Sequence, residues 1–187
     1  MFEIPSRHYP KVKNHNFYKD KILKLINEDD LTVLKDGKKC VKTDYFKAVT
    51  RHPTPYQKLV FEALNDYLND FKSLNLRVAR MWYQQSSLGQ YHPPHNHGAI
   101  GLSCVWYLEF NPKVHTGTNF IAPFADFLTG DAITNTALVE EGDFIVFPSY
   151  LLHQQLTNES EERRTIISMN LLPFDLKWLE QNVKDSV

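Results

Sequence analysis

The chain has 187 residues, of which 42% are apolar and 23% charged, a composition typical of one globular domain with a buried core. Its 21 basic and 22 acidic side chains leave a net charge of -1, which excludes a global positive field for nucleic acid or anionic lipid. Cys40 and Cys104 lack the spacing of a disulfide framework or a zinc knuckle. Residues 1–10 lack an apolar leader and no apolar run reaches membrane-spanning length, so we expect a soluble, cytoplasmic protein with no nucleic-acid or membrane partner.

Helices are predicted on both sides of a long region that has the periodicity of β-strands. Residues 16–26 carry an approximate apolar face and predict a short helix. A stronger helix is predicted from Thr54, which forms a Thr-x-x-Gln capping box with Gln57, to about Leu74. Residues 175–183 predict a last short helix. We expect the long helix to support a sheet rather than to carry chemistry.

After residue 76 the apolar residues recur with period two, which predicts strands. A series of short strands separated by turn signals is typical of a sandwich or jelly roll, so we predict a mostly β fold. The strand segments are residues 76–85, 100–110, 118–122, 132–139, 143–148 and 164–171. We expect one domain over residues 1–187, with a helical support region at 1–75, a jelly-roll core at 76–172 and a C-terminal helix at 173–187.

A histidine cluster is the strongest chemical signal. Three of the eight histidines, His92, His95 and His97, fall within six residues. In an extended segment His95 and His97 lie on one side of the chain, about 7 Å apart, from which both imidazoles can bind one metal ion. His153, which follows a glycine turn and an apolar strand, is a candidate third ligand. Spacing alone leaves open whether His153 is a ligand or a structural residue.

The two histidine-bearing segments are similar to the two halves of the cupin motif, with two departures. The glutamate expected three or four residues after His97 is absent, since Gly101 and Leu102 stand there. The interval of 56 residues between His97 and His153 is also long for a small cupin.

A closer resemblance is to the 2-oxoglutarate- and Fe(II)-dependent oxygenases, which share the double-stranded β-helix of the cupins. Residues 94–108, PHNHGAIGLSCVWYL, resemble the pattern H-x-H-P-x-S-x-L-S-G-V-Y-Y of one family in this group. Residues 142–149 with His153 resemble its G-D-L-V-L-F-P-S and histidine, and residues 162–170 resemble its E-x-R-I-S-I-S-F-N. The departures near the pocket are Gly98, Cys104 and Trp106.

This resemblance implies that His95, His97 and His153 hold Fe(II), with 2-oxoglutarate as co-substrate. His97 departs from the usual triad of two histidines and one carboxylate. Three neutral imidazoles leave the ion with its full double charge, which favours an anionic co-substrate. Replacement of one histidine by a carboxylate stays open, the candidates being Asp126, Asp131 and Glu109.

The far carboxylate of 2-oxoglutarate needs a cation, and a guanidinium offers it a planar, permanently charged fork. In a strand that begins at Arg164, period two places Ser168 and Asn170 on the same face as Arg164. We therefore expect Arg164 to bind the carboxylate while Ser168 or Asn170 lends a hydrogen bond. Weaker candidates for the pocket lining are Tyr83, Gln85 and Tyr107.

The implied reaction is hydroxylation of a protein side chain or a small molecule, with release of succinate and CO2 and with no catalytic acid or base beyond the metal ligands. Aromatic residues in the segment 111–131, among them Phe124 and Phe127, are consistent with an apolar or peptide-like substrate surface. Two alternatives stay open: a three-histidine cupin dioxygenase that does not use 2-oxoglutarate, and a non-catalytic ligand-binding β-sandwich. A zinc hydrolase is disfavoured because no glutamate adjoins the histidine cluster. A homodimer is a further open expectation.

Overall fold

The computed structural model describes residues 3–26, 32–33, 40–46 and 52–174. Within these ranges the chain forms two helices and eleven strands. The elements in chain order are β1 (Arg7–Tyr9), α1 (His15–Leu25), β2 (Thr32–Val33), β3 (Lys42–Thr43), α2 (Pro55–Lys72), β4 (Leu76–Ser86), β5 (His92–His95), β6 (Leu102–Glu109), β7 (Asn119–Ala125), β8 (Ala132–Thr136), β9 (Phe144–Pro148), β10 (His153–Gln155) and β11 (Arg164–Pro173).

The strands form two antiparallel sheets that face each other. The larger sheet has the order β1-β9-β6-β11-β4-β3-β2, and the smaller has the order β5-β10-β7-β8. Apolar side chains from both sheets fill the space between them, including Val105, Tyr107, Phe120, Phe147 and Ile166. The predicted mostly β, jelly-roll architecture is confirmed.

The two helices cover the outer face of the larger sheet. Val60 and Leu64 of α2 share one buried cluster with Met81, Trp106 and Ile167 of the sheet. The predicted capping box is present at the start of α2, where it satisfies backbone amides that no helical turn can reach. The two predicted helices that fall within the described residues are confirmed to within two residues at each end.

The six predicted strands are confirmed as β4, β6, β7, β8, β9 and β11, with ends displaced by at most three residues. Five further strands were not predicted, and none of them exceeds four residues. Three of these, β1, β2 and β3, come from the N-terminal region that the sequence indicated to be irregular apart from one helix. Such short strands exist because longer neighbours pair with them, so they leave no periodic pattern of their own.

Hydrogen bonds to Asp143 hold β1 and the residues after it against the larger sheet. Its carboxylate accepts hydrogen bonds from the backbone amides of Lys11 and Glu140, both at 2.9 Å, and from His8 Nε2 at 2.7 Å. The aspartate is buried, and β1 lies beside it in antiparallel register with β9. The Gly-Asp pair of the sequence motif therefore has a structural role, with Asp143 outside the metal cavity.

The jelly-roll core ends with strand β11. Strand β11 runs to Pro173, one residue past the predicted end of the core at residue 172. The predicted helix at residues 175–183 lies outside the described residues. Neither helix in the described part of the chain is long and apolar enough to cross a membrane.

Candidate metal and co-substrate site

Strand pairing brings the predicted metal ligands together. Strand β5 ends at His95, and its antiparallel register with β10 places His95 opposite His153. His97 follows β5, and its backbone amide donates to the carbonyl of Ser149 at 2.9 Å. One ligand atom from each of the three imidazoles lies within 4.8 Å of the other two. The prediction that these distant histidines converge is therefore fulfilled in the structure.

The hydrogen bonds of two of these rings suit a metal. His95 Nδ1 contacts the carbonyl of Pro93 and His153 Nδ1 contacts the carbonyl of Leu151, both at 2.8 Å. A carbonyl only accepts, so Nδ1 carries the hydrogen and Nε2 of the neutral ring keeps a lone pair. This is the arrangement that orients histidine ligands in metalloproteins, and Fe(II) is among the ions that imidazole ligands suit.

Burial keeps the imidazoles uncharged. Desolvation, reinforced by the neighbouring rings, lowers the pKa of His97 to about 3 and that of His153 to about 4. Desolvation also lowers the pKa of His95. Because a metal ion binds the neutral ring, these histidines need not lose protons before binding at neutral pH.

The candidate carboxylate ligands lie elsewhere. Asp126 accepts the backbone amides of Leu128 and Thr129 in the turn between β7 and β8, and Asp131 is exposed. Glu109 forms an ion pair with Arg163. Among the described residues that line the cavity there is no aspartate or glutamate, so the structure offers three histidines as the donor set.

Arg164 lies in the same cavity as the histidines. Only 2% of the residue is exposed, and its Nη1 donates to Gln155 Oε1 at 2.5 Å. The Tyr107 ring lies beneath the guanidinium, with its centroid 5.6 Å from Cζ. Burial lowers the pKa of Arg164 to about 10, so the side chain stays charged at neutral pH. Ser168 lines the same cavity, as period two predicted.

Four of the predicted site residues are not on the cavity wall: the lining candidates Tyr83, Gln85 and Tyr107, and the hydrogen-bond candidate Asn170. Side chains alternate along β4, and the residues that face the cavity are Trp82 and Gln84. Tyr83 therefore points to the opposite side and packs against Tyr56 of α2, and Gln85 donates a hydrogen bond to Thr165.

Tyr107 and Asn170 lie off the lining for different reasons. Tyr107 lies deeper between the sheets than the cavity wall, with its hydroxyl 2.8 Å from the hydroxyl of Thr118. Asn170 lies two residues beyond Ser168 on β11, and its Oδ1 is 3.5 Å from Ser103 Oγ.

The structure adds polar residues that sequence reasoning missed. His92, Gln84 and Gln155 line the cavity. Gln84 Nε2 lies 3.4 Å from His92 Nδ1, and an amide nitrogen donates, so Nδ1 of His92 accepts. In the sequence, only their positions could have indicated two of these residues: His92 belongs to the histidine cluster, and Gln155 lies two residues after His153.

Residues 80–170 match the model of a family described as "Putative 2OG-Fe(II) oxygenase", and this segment contains the three histidines and Arg164. This segment matches the 2-oxoglutarate- and Fe(II)-dependent oxygenases. The family predicted from the sequence motifs is thus confirmed, and with it an enzyme whose cofactors are Fe(II) and 2-oxoglutarate. No curated protein matches the sequence.

Solved structures resemble the oxygenase over most of its length. A Pseudomonas putida prolyl-4-hydroxylase is 11% identical, covers 91% of this chain and 93% of its own, and has a TM-score of 0.65. The carbocyclase SnoK from nogalamycin biosynthesis is 13% identical, with 92% and 81% covered and a TM-score of 0.70. HygX from Streptomyces hygroscopicus, with nickel and 2-oxoglutarate bound, is 10% identical, with 91% and 84% covered and a TM-score of 0.65. At these identities the likenesses confirm the double-stranded β-helix fold.

Proposed function

We propose that this oxygenase hydroxylates its substrate while 2-oxoglutarate is converted to succinate and CO2, with His95, His97 and His153 as Fe(II) ligands and Arg164 as the partner of the distal carboxylate. One observation carries the proposal. The three clustered imidazoles and a buried guanidinium line one cavity whose described lining contains no acidic side chain. Such a cavity attracts an anion to the metal centre.

Each of these residues has a separate task. The imidazoles leave coordination positions open because they supply only three ligands. Arg164 fixes the far end of the diacid, and its rigid, buried position sets the orientation of the whole co-substrate. When bound, Fe(II) supplies the activation of dioxygen that the side chains cannot perform themselves. Ile166 and Phe147 add apolar wall, which limits access of water.

The buried Arg164 also bears on the main competitor of this proposal. A three-histidine dioxygenase that does not use 2-oxoglutarate has a task for a charged guanidinium inside the cavity only if its own substrate carries the anion. Placing a guanidinium there without a counter-ion costs free energy, because its charge loses contact with water. An anionic co-substrate would offset that cost.

For the primary substrate we propose a protein side chain or an apolar small molecule. Phe124, Phe127 and Leu128, at the end of the β7–β8 hairpin, are 57%, 91% and 80% exposed. Exposed aromatic clusters of this kind are typical of binding surfaces. One of the similar structures is a prolyl-4-hydroxylase, which is consistent with a protein substrate.

The test measures succinate formed per 2-oxoglutarate consumed in the presence of Fe(II), together with Fe(II) binding under anaerobic conditions. We expect stoichiometric succinate from the wild type and a loss of at least roughly 100-fold in His153→Ala, because removal of one of three ligands opens the metal site. His52→Ala changes an exposed histidine outside the cavity and is the matched control. Unchanged turnover in His153→Ala, or iron binding without any succinate from the wild type, would refute the proposal.

A further inference from the structure

Gln155 is a buried amide on the cavity wall with no role in metal binding. The residue is 6% exposed and lies on β10 two positions after the candidate ligand His153. Its Oε1 accepts the hydrogen bond from Arg164 Nη1, which fixes the orientation of the amide and leaves Nε2 as a separate donor. The hydrogen bond from Arg164 therefore determines that the amide nitrogen of Gln155, and not its oxygen, is available to another partner.

Two donors next to each other lack an acceptor. Neither Gln155 Nε2 nor Arg164 Nε has a hydrogen-bond partner within the described part of the chain, although both atoms are buried. An unpaired buried donor costs free energy that a hydrogen-bonded one does not. With no acidic side chain on the described lining, the missing acceptor is not supplied by an Asp or Glu of this wall.

The chemistry of the missing acceptor follows from these donors. A carboxylate offers two oxygens, each able to accept hydrogen bonds, and a guanidinium beside it supplies the balancing charge. Residues two apart on a strand are separated by about 7 Å, a distance comparable with the length of an extended five-carbon diacid. A molecule held at the His153 end of β10 by its 2-oxo acid group would therefore present its second carboxylate near Gln155.

We infer that Gln155 Nε2 donates a hydrogen bond to the distal carboxylate of 2-oxoglutarate, next to Arg164, and that Gln155 thereby helps to select a dicarboxylate over a monocarboxylate 2-oxo acid. This inference rests on the proposed function. It assigns to Gln155 a role in co-substrate recognition that is separate from metal binding. A purely structural Gln155 would influence all 2-oxo acids alike.

The test compares the dissociation constants of 2-oxoglutarate and 2-oxobutanoate, measured by calorimetry on the Ni(II)-loaded full chain. The second acid has the same 2-oxo acid head and no distal carboxylate. Gln155→Leu removes the donor, and we expect 2-oxoglutarate to bind roughly ten-fold more weakly. Gln155→Glu keeps an acceptor for Arg164 but opposes the carboxylate with a like charge, and we expect a loss of roughly 100-fold or more. Binding of 2-oxobutanoate should change by less than about two-fold in both variants.

Gln154→Glu is the charge control. It adds the same charge one residue away, at an amide that also borders the cavity but whose nitrogen donates to Asn119 at 2.9 Å, and we expect a smaller effect on 2-oxoglutarate than in Gln155→Glu. Equal weakening of both acids in the Gln155 variants, or no weakening of 2-oxoglutarate, overturns the inference while the proposed function stands. A wild type that binds the two acids equally well would overturn the proposed function itself. If Gln155→Glu does not fold, the Gln155→Leu comparison decides alone.

Discussion

In the proposed metal centre, residue 97 determines the net charge of the ion and its ligands. A carboxylate in this position would cancel one unit of the positive charge of the ion, whereas His97 leaves it intact. The neighbouring Arg164 is also a cation, so the cavity combines two positive centres without an acidic side chain among its described lining residues. A dianion is the ligand that such a cavity attracts most strongly.

Replacement of His97 by aspartate tests this electrostatic argument. We expect His97→Asp to retain Ni(II) or Fe(II), because two histidines and one carboxylate are a common ligand set for Fe(II). Its affinity for 2-oxoglutarate should fall by roughly ten-fold, since the added negative charge repels the co-substrate. Anaerobic titration of the metal-loaded variant measures this directly. Equal or tighter binding would show that the third ligand does not set the affinity by its charge.

At the residue scale, the sequence predicted the cavity-facing side chains Arg164 and Ser168 of β11 correctly, but it did not predict which side chains of β4 face the cavity. Arg164 and Ser168 were placed on the correct face because β11 begins at the arginine itself and the period carries forward. Strand β4 is buried on both faces along its second half, so Tyr83 and Trp82 look alike in the sequence. Only the position of α2 decides which of them meets the helix.

Among the elements, the short strands β5 and β10 matter most for the site. They contribute four and three residues, yet their pairing brings His95 opposite His153. Strand β5 reads His-Pro-Pro-His, and proline is normally confined to edge strands because it cannot donate to a ladder. The strand is at the edge of the smaller sheet, which explains how it tolerates both prolines. Its existence depends on its neighbour and could not be predicted from its own residues.

Helix α1 is joined to the larger sheet through a buried histidine. His15 is 2% exposed, its ring meets Trp106 edge-on at 5.6 Å, and its Nε2 lies 3.5 Å from Glu141 Oε1. Burial lowers the pKa of His15, and the cations Lys19 and Lys11 act in the same direction, whereas Glu141 opposes them. In the folded protein His15 therefore binds a proton less readily than in the unfolded chain.

This difference predicts acid sensitivity of the helix contact. A lowered folded-state pKa gives stability that is fully present above the unfolded value of about 6.5 and is lost as the pH falls below it. Between about pH 7.5 and 5.5, His15 can account for at most about 1.4 kcal/mol of the fall in the free energy of unfolding. His15→Phe should show a smaller fall, because phenylalanine does not titrate and can still pack against Trp106.

Denaturant unfolding of the metal-free proteins at both pH values measures the effect. The histidines of the metal cavity contribute equally to wild type and variant, so the difference between the two proteins isolates His15. His52→Ala, a change at an exposed position, should follow the wild type. An identical pH dependence for wild type and His15→Phe would remove His15 as the acid-sensitive group.

For the whole molecule, the sequence predicted the class of fold, both helices and six strands, because these features follow from local periodicity. The order of strands in each sheet, in contrast, does not follow from local periodicity. Strand β11 pairs with β4 and β6, and β9 pairs with β6 and β1, so neighbours in the larger sheet come from distant parts of the chain. Hydrophobic patterns do not specify such long-range partners. The family motifs carried that information because they identified a known topology.

Because of this topology, we expect metal binding at the candidate site to stabilise the whole chain. The candidate ligands come from β5, the segment after it and β10, so the intact site exists only when the two strands are paired. A ligand that binds only the folded state raises the free energy of unfolding by about 2.7 kcal/mol at a concentration 100-fold above its dissociation constant. For a chain of 187 residues this corresponds to a rise in Tm of roughly 5–10 °C.

We expect Ni(II), used in place of oxygen-sensitive Fe(II), to produce this rise in the wild type and in His52→Ala, and a chelator to reverse it. His153→Ala should show little or no rise, because two imidazoles alone bind the ion weakly and no longer link β5 to β10. A thermal scan with and without Ni(II) distinguishes these outcomes, and an equal rise in His153→Ala would place the metal outside this cluster.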